Sequence, residues 1–219
     1  MQSRRSGVSS ERPVVLLGAG GHARVVLDLL RLRGYQVVGV CAPELPAGSQ
    51  WQRLSALGED VVLEALDPAE VWLVNGIGPM SGNMVRRRVH EEGSVRGYTW
   101  LTLDHPSCVR AEDVSLAEGV QLMAGVVVQP GCRLEAGVVV NTRATIDHDC
   151  QLDEHVFVGP GAVLCGAVKA GRGVFIGAGA IVLPGIHLGE GAIIGAGAVV
   201  TRSVEAGRTA VGSPARSIK

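Results

Sequence analysis

The sequence repeats itself every six residues from Ser115 to Val204, fifteen times without an insertion. The second position of these hexapeptides is Leu, Ile or Val in fourteen blocks and Ala170 in the remaining one. The sixth position holds only Val, Ala, Cys or Ile. A period of this length and regularity belongs to a solenoid. The spacing predicts a triangular parallel β-helix in which each block supplies one flat side and one corner. The aliphatic second position then points inward, the small sixth position sits beside it, and corner glycines take backbone angles that other residues resist. Three blocks make an 18-residue coil, so these ninety residues make five coils. Coils stack at strand spacing, about 4.8 Å. Cys132 and Cys150, 18 apart and both at the sixth position, are read as stacked interior thiols and not as a bridge or a metal site.

Composition agrees with a tightly wound backbone. Gly is abundant at 31 of 219 residues, and aromatic residues make up 3%, so the core is aliphatic. Lys and Arg number 20 against 21 Asp and Glu, which gives neither a nucleic-acid footprint nor a polybasic membrane patch. The five cysteines lack a CxxC pair, which argues against a disulfide framework or a zinc knuckle. No apolar run reaches the roughly 18 residues of a membrane span. Residues 1–12 are polar and read as a disordered leader without a secretory apolar segment. The expected location is the cytoplasm.

Residues 13–104 read as a separate Rossmann-like α/β domain, and 105–219 as the β-helix domain. Val14 to Leu17 is a short apolar strand. Gly18-Ala19-Gly20-Gly21-His22 follows, then a helical pattern from Ala23 to Leu32 with Val25, Val26, Leu29 and Leu30 on one side. Gln36 to Val40 and Val71 to Val74 read as further strands, and a basic helix is expected near Asn83 to Glu91. Together these make a βαβ-type domain with a parallel sheet.

Three places carry chemistry. Glycines after a strand let the backbone approach a phosphate, and a helix N-terminus favours negative charge. The turn Gly18 to His22 is therefore a candidate nucleotide-phosphate site, with a purely structural turn or a dinucleotide site as alternatives. Asp147-His148-Asp149 places a histidine between two acids, and a neighbouring carboxylate orients an imidazole and raises its basicity, as a general base requires. Its alternative is a solvated polar corner. Third, Val211-Gly212-Ser213-Pro214-Ala215-Arg216 ends the repeat and offers a cation. His155 and His187 are expected at the surface, His90 on a helix surface, and His105 in the linker.

The GAGGHA turn, His105-Pro106-Ser107, Asn141-Thr142 followed by Ile146 to Cys150, and the closing VGSPAR occur in one order. In that order the chain resembles the nucleotide-sugar acetyltransferases that include the bacillosamine and perosamine N-acetyltransferases and the sialic-acid O-acetyltransferases. The resemblance runs from Val14 to Arg216. It implies a left-handed β-helix, a homotrimer with active sites between subunits, and acetyl-CoA as co-substrate with no metal. It also implies a nucleotide-linked amino sugar of the 4-amino-4,6-dideoxy type as acceptor, for surface glycan biosynthesis. By the same resemblance His148 is the general base and Asp149 raises its basicity. Gly20, Gly21 and His22 match the diphosphate turn, and Gly78 a further nucleotide contact. Asn141 lies near the reacting groups, and Gly166 matches the glycine whose amide faces the thioester oxygen. Gly177, Ala178 and Gly195 fall on the pantetheine face, and Pro214 to Arg216 at the CoA nucleotide.

Two positions depart from the pattern. Ala42 and Pro43 stand where many relatives carry adjacent acids that recognise base or ribose, so UDP, GDP and dTDP all stay open. Phe157 stands where many carry a histidine against the thioester region. O-acetylation of a sialic-acid-like sugar is the nearest alternative. Two others come from different classes: a zinc enzyme like the γ-class carbonic anhydrases, and a nucleotide-binding module whose repeats only trimerise. His148 and His155, seven residues apart, are expected on different sides of the coil, which disfavours a zinc site.

Overall fold

A computed structural model describes residues 12–59, 63–82 and 84–218. Residues 1–11 of the expected leader lie outside this set. The chain divides into two compact units, one of residues 1–78 with 92–100 and the other of 79–91 with 101–219.

The first unit is a six-stranded sheet. Its elements are β1 (Val14–Leu17), α1 (Gly21–Leu32), β2 (Val37–Cys41), β3 (Gln50–Trp51), β4 (Leu54–Gly58), β5 (Trp72–Asn75) and β6 (Thr99–Trp100). The strand order is β3-β4-β2-β1-β5-β6. All neighbours are parallel except β3 and β4. Strand β1 is buried along its whole length, as the centre of a parallel sheet requires. The buried face of α1 is Ala23, Val26, Leu27, Leu29 and Leu30, whereas Val25 points to solvent. Val25 was expected inside; at 100° per residue it falls off the stripe that Ala23, Leu27 and Leu30 define. Strands β2 and β5 each begin one residue later than their apolar runs suggest. The basic helix is α2 (Val85–Val95), and its first seven residues belong to the second unit.

The second unit is the β-helix. Its two-residue strands fall into three parallel faces in which each strand pairs with the one 18 residues on. The first face contains the strands that begin at Gln121, Val139, Phe157, Phe175 and Ile193; the second, those at Val127, Thr145, Val163, Ile181 and Val199; the third, those at Ser115, Arg133, Gln151, Lys169 and His187. Every second-position residue from Leu122 to Val200 is buried and belongs to one continuous core. The coil starts earlier than the repeat predicted. Leu103–Asp104 and Val109–Arg110 already pair with Gln121–Leu122 and Val127–Val128. Asp104 and Arg110 occupy the inward register, and these polar residues hid two blocks from an aliphatic pattern. Arg216–Ser217 folds back antiparallel on Thr209–Val211 and closes the far edge of the first face.

From Gly119 to Gly197 each corner turns at the fifth position of its block, where φ is positive. Glycine usually sits there, but Arg143, Asp149, His155 and Ala167 take φ of 59°, 59°, 60° and 58°. Side chains pay for that conformation, and Asp149 and His155 occupy two of these corners.

Candidate active site

His148 is the fourth residue of its block and projects from the corner between the second and third faces. Three contacts fix it. Its backbone N–H donates to Asp147 Oδ1 at 2.8 Å. Its ring Nδ1 lies 2.8 Å from Asp149 Oδ2. Its Nε2 lies over Gly166 in the next coil, where a Cβ would come within 2.5 Å of it. Asp149 is held in the same manner from the other side. Its Oδ1 overlies Gly131 of the preceding coil, 2.5 Å from where a Cβ would stand. With Nδ1–H donated to the carboxylate, the lone pair on Nε2 faces outward. The hydrogen bond to Asp149, reinforced by the charge of Asp147, holds the imidazole above its ordinary pKa. The pair is exposed, 60% and 68% at the side chains, so a substrate can reach it.

Cys132 and Cys150 lie buried behind this corner as free thiols. Cys132 Sγ donates to Asp147 O at 3.0 Å, and Cys150 Sγ to Cys165 O at 3.3 Å. The bond to Cys132, together with burial, pushes the Cys150 thiol up, so it supplies no nucleophile.

A second corner, between the third and first faces, carries His155. It was expected at the surface, and so was His90. Instead His90 is buried, and the two rings meet edge to face at 5.0 Å. Burial lowers both imidazoles to a pKa of about 4. Glu91 pairs with Arg87 at 2.7 Å, and Glu154 with Arg172 at 3.2 Å. Beside this corner opens a cleft of about 230 Å³. Its floor includes Phe157, Phe175 and Ile193, and its walls include Arg86, Arg87 and Arg172. Phe157 and Phe175 stack at 4.9 Å with a 31° tilt. Burial lowers the Arg86 guanidinium to a pKa of about 9. The helix and loop side of this cleft gave no sequence signal. Only the run Arg86-Arg87-Arg88 could have pointed to it.

In the first unit the glycines of the turn differ in kind. Gly18 has φ of +91°, and a Cβ there would lie 3.0 Å from Ile77; at Gly76 it would lie 2.9 Å from Ala23. These two are required by the fold. Gly20, the N-cap of α1, and Gly21 have neither positive φ nor any atom within 4 Å of an added Cβ. Nothing within the protein requires them to be bare, and they open the start of α1 to an approaching anion. A Cβ on Gly78 would lie 3.5 Å from the Cβ of His22, so those two candidates are neighbours. Ala42 is buried, and its N–H donates to Gly58 O at 2.9 Å; Pro43 is exposed beside it.

Known proteins share this construction. The profile of the PglD N-terminal domain matches residues 13–92, and that of the bacterial transferase hexapeptide (six repeats) matches 171–202. The acetyltransferase domain of PglB from Neisseria gonorrhoeae, solved with acetyl coenzyme A, is 32% identical over 95% of this chain and 100% of its own, with a TM-score of 0.88. The chain belongs to the acetyl-CoA-dependent sugar N-acetyltransferases of the left-handed β-helix class. PerB from Caulobacter crescentus, solved with CoA and GDP-perosamine, is 33% identical over 94% of this chain and 97% of its own, with a TM-score of 0.86. WeeI from Acinetobacter baumannii shares the fold at 24% identity and a TM-score of 0.85. No curated protein sequence matches significantly.

As a member of this acyltransferase family, the chain places its remaining candidates as follows. Asn141 stands at the third position of the first face, where Oδ1 accepts the Thr142 N–H at 2.7 Å. Gly177 and Gly195 continue that column one and two coils beyond Gly159, and Ala178 is the exposed corner beside Gly177. A Cβ on Gly177 would strike the Ala196 backbone at 2.5 Å, so the column is bare by necessity. Pro214 and Arg216 are exposed at the closing hairpin, with Arg216 Nη1 bonded to Ala215 O at 2.9 Å. His148 and Gly166 come together at one corner; Asn141, Phe157, Gly177 and Gly195 lie on another face. Adjacent corners of one coil are six residues apart, roughly 15–20 Å at strand rise. One chain therefore does not assemble all the candidates around a single point. Among the described residues no group of three His, Cys, Asp or Glu side chains is placed to hold a metal ion, and no helix is long and apolar enough to cross a membrane.

Proposed function

We propose that this chain transfers the acetyl group of acetyl-CoA to the amine of a nucleotide-linked amino sugar of the 4-amino-4,6-dideoxy type, in the cytoplasm, for surface glycan biosynthesis. The observation that carries this reading is the His148–Asp149 pair, with Nδ1 committed to a carboxylate at 2.8 Å and Nε2 turned outward over Gly166. Nε2 takes a proton from the sugar ammonium or from the attacking amine. The amine adds to the thioester carbon, and the C–S bond breaks to release CoA. A backbone donor at Gly166 stabilises the developing oxyanion. Fixing both substrates supplies much of the acceleration. Gly20, Gly21, His22 and Gly78, with Ala42 and Pro43 nearby, hold the nucleotide. Asn141, Phe157, Gly177, Ala178, Gly195, Pro214 and Arg216 line the path of acetyl-CoA.

The working form is a homotrimer with the site between subunits. Its support is the second face. Its outward positions are Val109, Val127, Thr145, Val163, Ile181 and Val199, apolar in all but Thr145, with Val109 64% and Ile181 38% exposed. Such a column calls for a partner, and it runs beside the edge that carries His148. A second copy there supplies what one chain lacks, a first face beside His148.

The test is a screen of CoA release over UDP-, GDP- and dTDP-linked 4-amino sugars, read alongside light scattering. Turnover of at least one acceptor, lowered about 10²–10⁴-fold in His148→Ala while the trimer persists, is the expected result. Acetylation only of hydroxyls on a nonulosonic sugar would replace the N-acetyl reading by the O-acetyl one.

A further inference from the structure

Two columns run side by side on the first face of the β-helix, from the first and third positions of its blocks, roughly 7 Å apart at strand rise. The third-position column is bare: a Cβ on Gly159, Gly177 or Gly195 would come within 2.8 Å of protein atoms. It leaves a channel for a thin chain, where the reading above puts the pantetheine of the donor. The first-position column is Phe157, Phe175 and Ile193, the floor of the cleft beside His155. Phe157 belongs both to the donor path and to the cleft. A group carried on the thioester therefore stands next to that opening.

The cleft suits a hydrocarbon. Its floor residues carry no donor or acceptor, and Phe157 keeps only 9% of its surface. Met80 and Met84 also line it, 66% and 56% exposed; such side chains adapt to whatever chain covers them. Its arginines are matched. Arg87 pairs with Glu91 at 2.7 Å, Arg172 pairs with Glu154 at 3.2 Å, and Glu190 adds a third carboxylate to the lining. With Arg86 that makes three cations against three anions, so the wall offers no net positive charge to a phosphate. Pantetheine amides would lose water against rings that return no hydrogen bond. An alkyl tail loses nothing of that kind and gains by burial.

We infer that this cleft is an acyl slot, and that the enzyme transfers acyl groups longer than acetyl from their CoA thioesters, with Phe157 and Phe175 as specificity-determining residues. The inference rests on the acyl-transfer reading above and extends its donor class. The cleft measures about 230 Å³. A cavity of about 150 Å³ holds a six-carbon ring, so chains of about four to six carbons fit. The step is otherwise unchanged. The amine nitrogen bonds to the thioester carbon, the C–S bond breaks, and the amine proton passes by way of His148 to the departing thiol, which leaves an N-acyl sugar and free CoA.

The experiment measures kcat and KM of the full chain for acetyl-, butyryl- and hexanoyl-CoA, with one nucleotide-linked 4-amino sugar that accepts acetyl. The KM of wild type should fall by roughly fourfold for each added methylene that the slot covers. Its kcat should stay within about tenfold, because a tail bound alike in ground and transition state changes KM alone. Phe157→His, Phe175→Gln and Met84→Gln each put a polar group in the slot. They should lower the ratio of kcat/KM for hexanoyl-CoA over acetyl-CoA by roughly tenfold. Met84 is exposed, so its variant reads the slot without a folding defect. Phe175→Leu stays apolar and should keep the ratio. A wild type that uses butyryl- and hexanoyl-CoA about tenfold less well than acetyl-CoA, or worse, overturns the inference. So does a ratio that all three polar variants leave unchanged. Either result, with acetyl turnover intact, sinks only this inference. No turnover of acetyl-CoA with any amino-sugar nucleotide sinks the functional reading and this inference with it.

Discussion

Two corners of the same coil stack carry a histidine ring over a bare glycine, and the rings behave in opposite ways. His148 lies over Gly166, stands in solvent beside Asp149, and has its pKa raised. His155 lies over Gly137, whose Cβ would come within 2.6 Å of its Nδ1, and is covered by His90, with its pKa lowered to about 4. The backbone settings differ by one position, since His148 precedes the left-handed residue Asp149 whereas His155 is itself the left-handed residue, each with φ near 60°. What sets the two pKa values apart is the neighbour. A carboxylate raises the pKa of the first, solvent-exposed ring, while burial lowers that of the second. The first can exchange protons with a substrate; the second can only pack.

Removing the rings should break the comparison most visibly. His148→Ala is expected to lower kcat by about 10²–10⁴-fold with the KM for acetyl-CoA little changed. His155→Ala should leave kcat within about tenfold in steady-state assays. If His148→Ala keeps near-wild-type kcat across about pH 6–9, the base is elsewhere and the contrast collapses.

The two glycines offer the next test. Gly166→Ala drives a methyl into an exposed ring that can swing away, so it should misplace Nε2 and cost up to about 10²-fold in kcat with melting nearly unchanged. Gly137→Ala meets a packed ring and also sits at φ of +69°. It should leave the chemistry intact but lower Tm by several degrees, since each kcal/mol moves Tm by roughly 2–4 °C in a chain of this size.

Asp149→Asn sharpens the cause. It weakens the base without deleting it, so the loss in kcat should be smaller than for His148→Ala. An imidazole without its carboxylate releases its proton more easily, so the acidic limb of the kcat/KM profile should move to lower pH. A limb that stays put would mean that Asp149 does not tune His148.

The smallest effect is on stability against pH. His90 and His155 have folded pKa values of about 4, below the roughly 6.5 of an unfolded imidazole. Their contribution is complete above about pH 6.5 and is lost as pH falls toward 4. His148, with its pKa raised, runs the other way and loses its small contribution as pH rises through that value. His155→Asn tolerates the left-handed corner and cannot titrate. It should reduce the Tm difference between pH 7 and pH 5 by roughly 2–4 °C. An unchanged difference would show that the pair is not desolvated in solution.

Much of the β-helix was legible because its order is local. The period of six fixes which side chain points inward, and the 18-residue return fixes which backbone groups pair. His148 was legible for the same reason, since both of its carboxylates are sequence neighbours. The first two coil blocks escaped because Asp104 and Arg110 break the aliphatic rule while keeping the hydrogen-bond register. Val25 escaped because a four-residue apolar cluster does not say which of its members faces the sheet.

The sequence by itself determined the coil, its register and the acid-flanked histidine at its corner, because each depends on residues next to one another or one coil apart. Tertiary structure alone decided what covers the other histidine. His90 is sixty-five residues away in the chain, and it reaches His155 only because α2 lies against that corner. The same helix supplies Arg86 and Arg87 to the wall of the phenylalanine cleft. Desolvation follows from which distant element excludes water, and a repeat period carries no information about that. Nor could the sequence say that Gly18 is bare to clear Ile77 while Gly21 is bare toward open space; that distinction exists only once strands and helix stand in three dimensions.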